Sequence, residues 1–252
     1  MRWALPAFGV GVFLAALVVL APATLVDARL ERASDGRLRL AGAEGTLWYG
    51  AGWIEMRDAG GTSGVAKRIA WRVRPESLLR GRLVAEVWLD EAPQPSTLAL
   101  SFSRIEIASA SAHLPAAALG LGMPRLAPLR LSGDVLLDVP HLVLERGRMD
   151  GAATLQWRAA GSALTPIAPL GDYEVRFKSV GPALHAALRT LAGPLELEGE
   201  GRWSNGAAPN FLVTARVPAQ HREQLSPLLG LIAVERGAGT FELDSSKAAF
   251  GP

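Results

Sequence analysis

Glu174-Val175-Arg176-Phe177-Lys178 sets charged and apolar side chains at strictly alternating positions. On an extended chain those positions fall on opposite faces, so the segment is predicted to be a strand with one dry face and one wet face. Arg37-Leu38-Arg39-Leu40, Arg104-Ile105-Glu106-Ile107, Leu195-Glu196-Leu197-Glu198 and Phe241-Glu242-Leu243-Asp244 repeat the pattern. A doubly wound parallel sheet, buried on both faces, would show unbroken apolar runs with long helices between them. The alternation therefore predicts a mainly β, antiparallel fold. Its 27 glycines and 17 prolines supply turns and edge positions. Helix is predicted only at 114–119, at 183–191 and at 220–231, the last interrupted by Pro227.

The strands occupy the chain after about residue 27. Before them, from Trp3 to Val26, no side chain carries a charge, and Phe8, Val10, Val12, Phe13, Leu14, Leu17, Val18, Val19 and Leu20 make the middle strongly apolar. As a helix this run spans about 36 Å, enough for a hydrocarbon core of about 30 Å. Arg2 lies on its leading side, and by the positive-inside rule that end stays cytoplasmic while the rest is exported. The expected organisation is a cytoplasmic end at 1–3, a transmembrane anchor at 4–26 and a periplasmic β-rich domain at 27–252. Two other readings of the run stay open: a signal peptide cleaved after Ala23, since Ala21-Pro22-Ala23 has the small-x-small form, and a buried core helix. A cleaved signal peptide would export the body just as an anchor does.

Composition narrows the function. Lysine and arginine number 26 against 24 acidic residues, and the two signs are interleaved along the chain. A nucleic-acid surface needs clustered cations that displace counterions, so no nucleic-acid partner is expected. There is no cysteine, which removes thiolate metal sites, disulfides and cysteine nucleophiles. His113, His141, His185 and His221 stand singly, without ligand spacing, and no nucleophile elbow, phosphate-binding loop or metalloprotease motif is present. Glu196 and Glu198 share one strand face and could imitate a glycosidase pair, but a wet sheet face accounts for them. No catalytic, cofactor or metal residue is nominated, and no enzyme activity is expected.

The residues that stand out are tryptophans and glycines. Gly45-Thr46-Leu47-Trp48-Tyr49-Gly50 places aromatic rings between glycines that permit a bend or bulge, with Trp48 expected to pin that bend to the sheet. Trp71 is followed by Pro75, Leu78, Leu79, Gly81 and Leu83. Trp157 is followed by Pro169, Leu170 and Gly171. Trp203 follows Gly199 and Gly201 and precedes, at longer range, Pro227, Leu228, Leu229 and Gly230. The spacings differ, so this is a loose repeat of a supersecondary unit of strand, Pro-Leu-Gly loop and strand, with no fixed period. Together with Trp53 and Trp88, these tryptophans could form a stacking platform for sugar or lipid, or could cap small cores as indole does well.

The apolar lead, Gly45-Thr46-Leu47-Trp48-Tyr49-Gly50, Trp71 with Pro75-Glu76-Ser77-Leu78-Leu79-Arg80-Gly81-Arg82-Leu83, Leu119-Gly120-Leu121-Gly122-Met123-Pro124, Pro169-Leu170-Gly171-Asp172-Tyr173 and Gly199-Glu200-Gly201-Arg202-Trp203 together resemble the type II secretion system protein N family. The resemblance implies a single-pass inner-membrane accessory component with a periplasmic β-rich domain. It would act through contacts with inner-membrane platform and secretin-linked subunits in export of folded proteins across the outer membrane. It carries no catalytic residues over. The fold is also similar to AsmA-like proteins, whose β-structures offer an apolar groove to lipid; that implies a lipid-binding or lipid-transfer protein as the alternative.

Overall fold

The computed structural model describes residues 13, 16–57, 64–90, 92, 94–122, 124–146, 148–181, 183–204, 210–237 and 239–244. The chain divides into two compact units, Met1–Leu98 and Ala99–Pro252. All strand pairings described below are antiparallel, as the alternation requires.

Unit 1 contains α1 (Thr24–Ala33), β1 (Leu38–Gly45), β2 (Tyr49–Arg57), β3 (Gly64–Arg74), a 3-10 turn (Pro75–Arg80) and β4 (Arg82–Leu89). The strands form a meander in sequence order. One face carries Leu40, Trp71, Val73 and Ala85, and it is closed by Ala23, just before α1, and by Val26 and Leu30 of the helix. The helix is tied along the outer edge of the sheet, where the Leu40 backbone N–H donates to Asp27 Oδ1 at 2.7 Å. Ser34 joins α1 to β1 by accepting from the Leu38 N–H at 2.9 Å and donating to the Leu30 carbonyl at 2.7 Å.

The apolar lead is only partly described. Residues 16–19 are helical, and the chain then bends at Leu20 to Ala23 before α1 begins. Among the described residues no helix is long and apolar enough to cross a membrane. The expected cytoplasmic end at 1–3 and residues 4–12, 14 and 15 of the expected anchor lie outside the described residues.

Strand β5 (Ser96–Ser101) falls across the division between the units. Unit 2 continues with β6 (Arg104–Pro115), α2 (Ala117–Gly122), a 3-10 turn (Pro124–Leu129), β7 (Leu131–Glu145), β8 (Arg148–Ser162), β9 (Gly171–Val180), β10 (Ala183–Ala192), β11 (Glu196–Ser204), β12 (Asn210–Arg216), α3 (Arg222–Ile232), β13 (Val234–Gly237) and β14 (Thr240–Asp244). Strand order follows the chain from β6 to β12, then places β14 before β13. The last strand is four residues long with a bulge between Glu235 and Gly237, and Arg236 pairs with Glu242 at 2.7 Å. Short length, a bulge and charge all blunt a free edge against strand addition. Pro140 sits inside β7 where the register slips between Asp138 and His141, so its missing N–H breaks no regular ladder.

Two of the predicted helices hold with shifted ends. The first is α2, and the second is α3, which runs through Pro227 after a 3-10 turn at Ala219–His221. The helix predicted at 183–191 is instead strand β10. Alanine and leucine favour a helix locally, but β9 and β11 pair with both edges of this segment over its length. Sheet pairing on both sides outweighs a few tenths of a kcal/mol per residue of propensity. The tryptophan repeat holds for two copies: Trp71 and Trp157 each lead through a proline-bearing connection to the next strand. After Trp203, β12 intervenes and the Pro227-Leu228-Leu229 segment is helical.

Candidate functional site

Two features organise the molecule, a joint in unit 1 and an amphipathic sheet in unit 2. The joint is built by the Gly45–Gly50 turn. Gly45 has φ of 90°, and a Cβ there would lie 2.4 Å from the Tyr49 carbonyl oxygen, so only glycine closes this hairpin without strain. Thr46 Oγ1 accepts from the Trp48 and Tyr49 N–H groups at 3.3 and 3.2 Å and holds the turn. Its outer side then grips the end of the apolar lead. Leu47 N–H donates to the Ala21 carbonyl at 2.8 Å and Ala23 N–H donates to the Gly45 carbonyl at 3.2 Å. Pro22 bridges to Thr46, and Trp48 Nε1 donates to the Val18 carbonyl at 2.8 Å.

Trp71, not Trp48, pins this turn from below. It is 7% exposed, its Nε1 donates to the Leu47 carbonyl at 3.1 Å, and its ring lies so close over Gly50 that a Cβ there would meet Cζ2 at 2.4 Å. Trp48 is half-buried at the margin of the same core. Past Trp71, Pro75 opens the 3-10 turn and Gly81 ends it in the left-handed region at φ of 69°. Ser77 is buried inside, donating to the Arg74 carbonyl at 2.6 Å and accepting from the Val84 N–H at 3.0 Å. Leu78 and Leu79, expected among the scaffold residues, point outward.

In unit 2 the register sorts side chains by face. Cross-strand rows such as Val135, Trp157, Tyr173 and Thr190, or Leu137, Leu155, Val175 and Leu188, are almost wholly apolar. The second row runs on through Gly199 and Val213, and a neighbouring row joins Ala153, Phe177, Ala186, Gly201 and Phe211. At one end of this face α3 and the 163–170 connection cover it, with Leu170, Leu195, Ala215, Val217, Leu225, Leu228, Leu229 and Phe241 forming a closed core. Away from that end Phe177, Trp203 and Phe211 lie in a tilted series, with centroids 6.3 and 5.9 Å apart. Gly201 sits beneath them: a Cβ there would be 2.2 Å from Phe211. The rings shield bare strand backbone that no second layer among the described residues covers.

The remaining motif residues hold the covered end together. Leu170 N–H donates to the Ala160 carbonyl at 2.6 Å, and Leu195 N–H donates to Leu170 at 3.1 Å, placing Pro169-Leu170-Gly171 as the lead into β9. Trp157 Nε1 donates to the Ser132 carbonyl at 2.9 Å. Tyr173 packs beside Trp157 at 5.9 Å and donates its hydroxyl to the Leu195 carbonyl at 3.0 Å. Burial first, and the Asp172 charge second, raise its pKa, so the phenol keeps its proton.

The opposite face is polar. Glu174 is buried beneath Gln156, Arg176 and Arg189: Gln156 and Arg189 each donate to its carboxylate at 2.9 Å, and Arg176 forms an ion pair with it at 2.7 Å. Burial acts to raise its pKa, but the hydrogen bonds from Gln156 and Arg189 and the charges of Arg176 and Arg189 outweigh it and hold the carboxyl below its ordinary 4.5. A carboxylate with a depressed folded-state pKa stabilises the fold above its unfolded pKa, and that contribution fades as pH falls through the folded value. Glu174→Gln is therefore expected to flatten the acid limb of a Tm-against-pH curve below 4.5; an unaltered slope would contradict this.

Among the described residues no catalytic assembly emerges. His113 lies 3.0 Å from Asp134, an exposed pair that linear spacing did not reveal and that β6–β7 register creates. Among the described residues no three His, Asp or Glu side chains gather to hold a metal. Glu196 and Glu198 line a hollow on the polar face with Arg189, Thr214 and Arg216, and Glu198 is 3.6 Å from Arg216. The family model for type II secretion system (T2SS), protein N, matches residues 36–244. Neither a curated protein nor a solved structure matches the chain.

Proposed function

The chain belongs to the type II secretion system protein N family, and from that premise we propose that it is an accessory component of the secretion machinery, held in the inner membrane by its apolar lead and acting in the periplasm through protein contacts. The observation that carries this reading is the joint: a family-matched turn spends its outer hydrogen-bonding groups on residues 18–23, the exit of an apolar run. A body that only floated in the periplasm would have no use for that grip. The partners are other subunits of the apparatus, in the inner-membrane platform or linked to the secretin. Photo-crosslinking from exposed positions of the full chain in intact cells should capture such subunits. Recovery of none after gentle solubilisation would count against the proposal. A reporter fused at the carboxyl end should be active only if it requires the periplasm.

The uncovered part of the unit 2 apolar face favours a second reading, in which Leu155, Val175, Phe177, Leu188 and Phe211 meet lipid acyl chains. Phospholipid retained through purification and lost on Leu188→Glu would support it. A delipidated chain with unchanged exposure of these side chains would remove it.

A further inference from the structure

The 3-10 turn between β3 and β4 presents Leu78 at 45% and Leu79 at 91% exposure. Its place in unit 1 is fixed by register. Gly50 pairs with Trp71 and Tyr49 with Arg72, so β3 runs out beside the β1–β2 turn and Pro75–Arg80 follows at that same end of the sheet. The β1–β2 turn is the part of the molecule bonded to Val18, Ala21 and Ala23. The exposed leucines and the exit of the apolar lead therefore share one end.

The chemistry of that end is apolar at the tip and mixed behind it. Tyr49 is exposed, with the Arg72 guanidinium 5.9 Å above its ring. Arg80 and Arg82 flank the leucines and are exposed, and Arg74 pairs with Glu86. Glu44 and Glu76 also lie here, so the arginines hold a small excess of positive charge. Protruding leucine with flanking arginine and an exposed tyrosine matches the boundary between acyl chains and anionic headgroups.

We propose that the β3–β4 turn rests on the surface of an anionic phospholipid bilayer, with Leu79 entering the headgroup–acyl boundary and Arg80 and Arg82 meeting lipid phosphates. The proposal rests on the reading that the apolar lead lies in that bilayer. It gives the protein a second membrane contact beside the anchor.

Since the chain has no cysteine, Leu79→Cys provides a unique site for an environment-sensitive fluorophore. Leu17→Cys reports on the lead, and Arg37→Cys, which precedes β1 at the far end of the strand about 23 Å away, serves as the aqueous control. The labelled full-length chains are reconstituted into phosphatidylglycerol–phosphatidylethanolamine vesicles carrying nitroxide on the upper acyl chain. Emission at 79 should fall by about half or more, as for a group a few ångströms into the interface, with little change at 37. Reversing Arg80 and Arg82 to glutamate should weaken the quenching at 79 and leave that at 17 unchanged. Quenching at 17 without quenching at 79 would overturn this inference and leave the anchor intact. Absence at both positions would overturn both, and a blue-shifted but unquenched label at 79 would assign the turn to a protein contact and refute the bilayer contact.

Discussion

Trp71→Ala should lower the free energy of unfolding by about 4 kcal/mol, the cost typical of truncating a buried aromatic side chain. The indole fills the space between β2 and α1, and its loss leaves both a cavity and the Leu47 carbonyl without its donor. It also removes the surface against which Gly50 packs, so the hairpin turn that grips the apolar lead should loosen. Trp48→Ala, a truncation at a half-buried site, should cost only about 1–2 kcal/mol. Urea titrations of the two variants decide between them. If Trp48→Ala proves as damaging as Trp71→Ala, the assignment of Trp71 as the pin is lost.

Leu225→Ala should cost about 3 kcal/mol. Leu225 is 0% exposed and lies in the closed core of unit 2, where α3 is held against Leu170, Ala215 and Phe241. Because α3 is the covering element at that end, its loosening should appear as faster amide exchange along Arg222–Ile232 and in β14. Leu225→Met, which conserves volume, should cost less than about 1.5 kcal/mol. Unchanged exchange in α3 after the alanine substitution would mean that the helix is held by something other than this core.

The β character was legible because charge alternation survives in the sequence of several strands that face water on one side, β9 and β11 among them. The apolar rows of unit 2 were legible in the same way: Val175, Phe177, Leu195 and Leu197 already alternate with charged neighbours. Strand β10 was not, because Ala183-Leu184-His185-Ala186-Ala187-Leu188 contains alanine on both faces and its strand state depends on partners distant in sequence. Of the joint, the glycines and the tryptophans were visible, but which ring would be buried was not. That choice follows from Gly50 standing opposite Trp71 across β2 and β3, a register that no local pattern encodes. The outward turn of Leu78 and Leu79 was likewise hidden, since Ser77 supplies the inward polar contact that frees them from the core.

Three hydrogen bonds between residues 18–23 and 45–48 leave no slack where the apolar lead meets unit 1. A linker of loose glycine and serine would let the attached body sweep a wide volume and find its partners by search. Here, turning the lead about its own axis must turn unit 1 with it, as a key turns in step with its handle. Heading, and not reach, is what such a coupling sets.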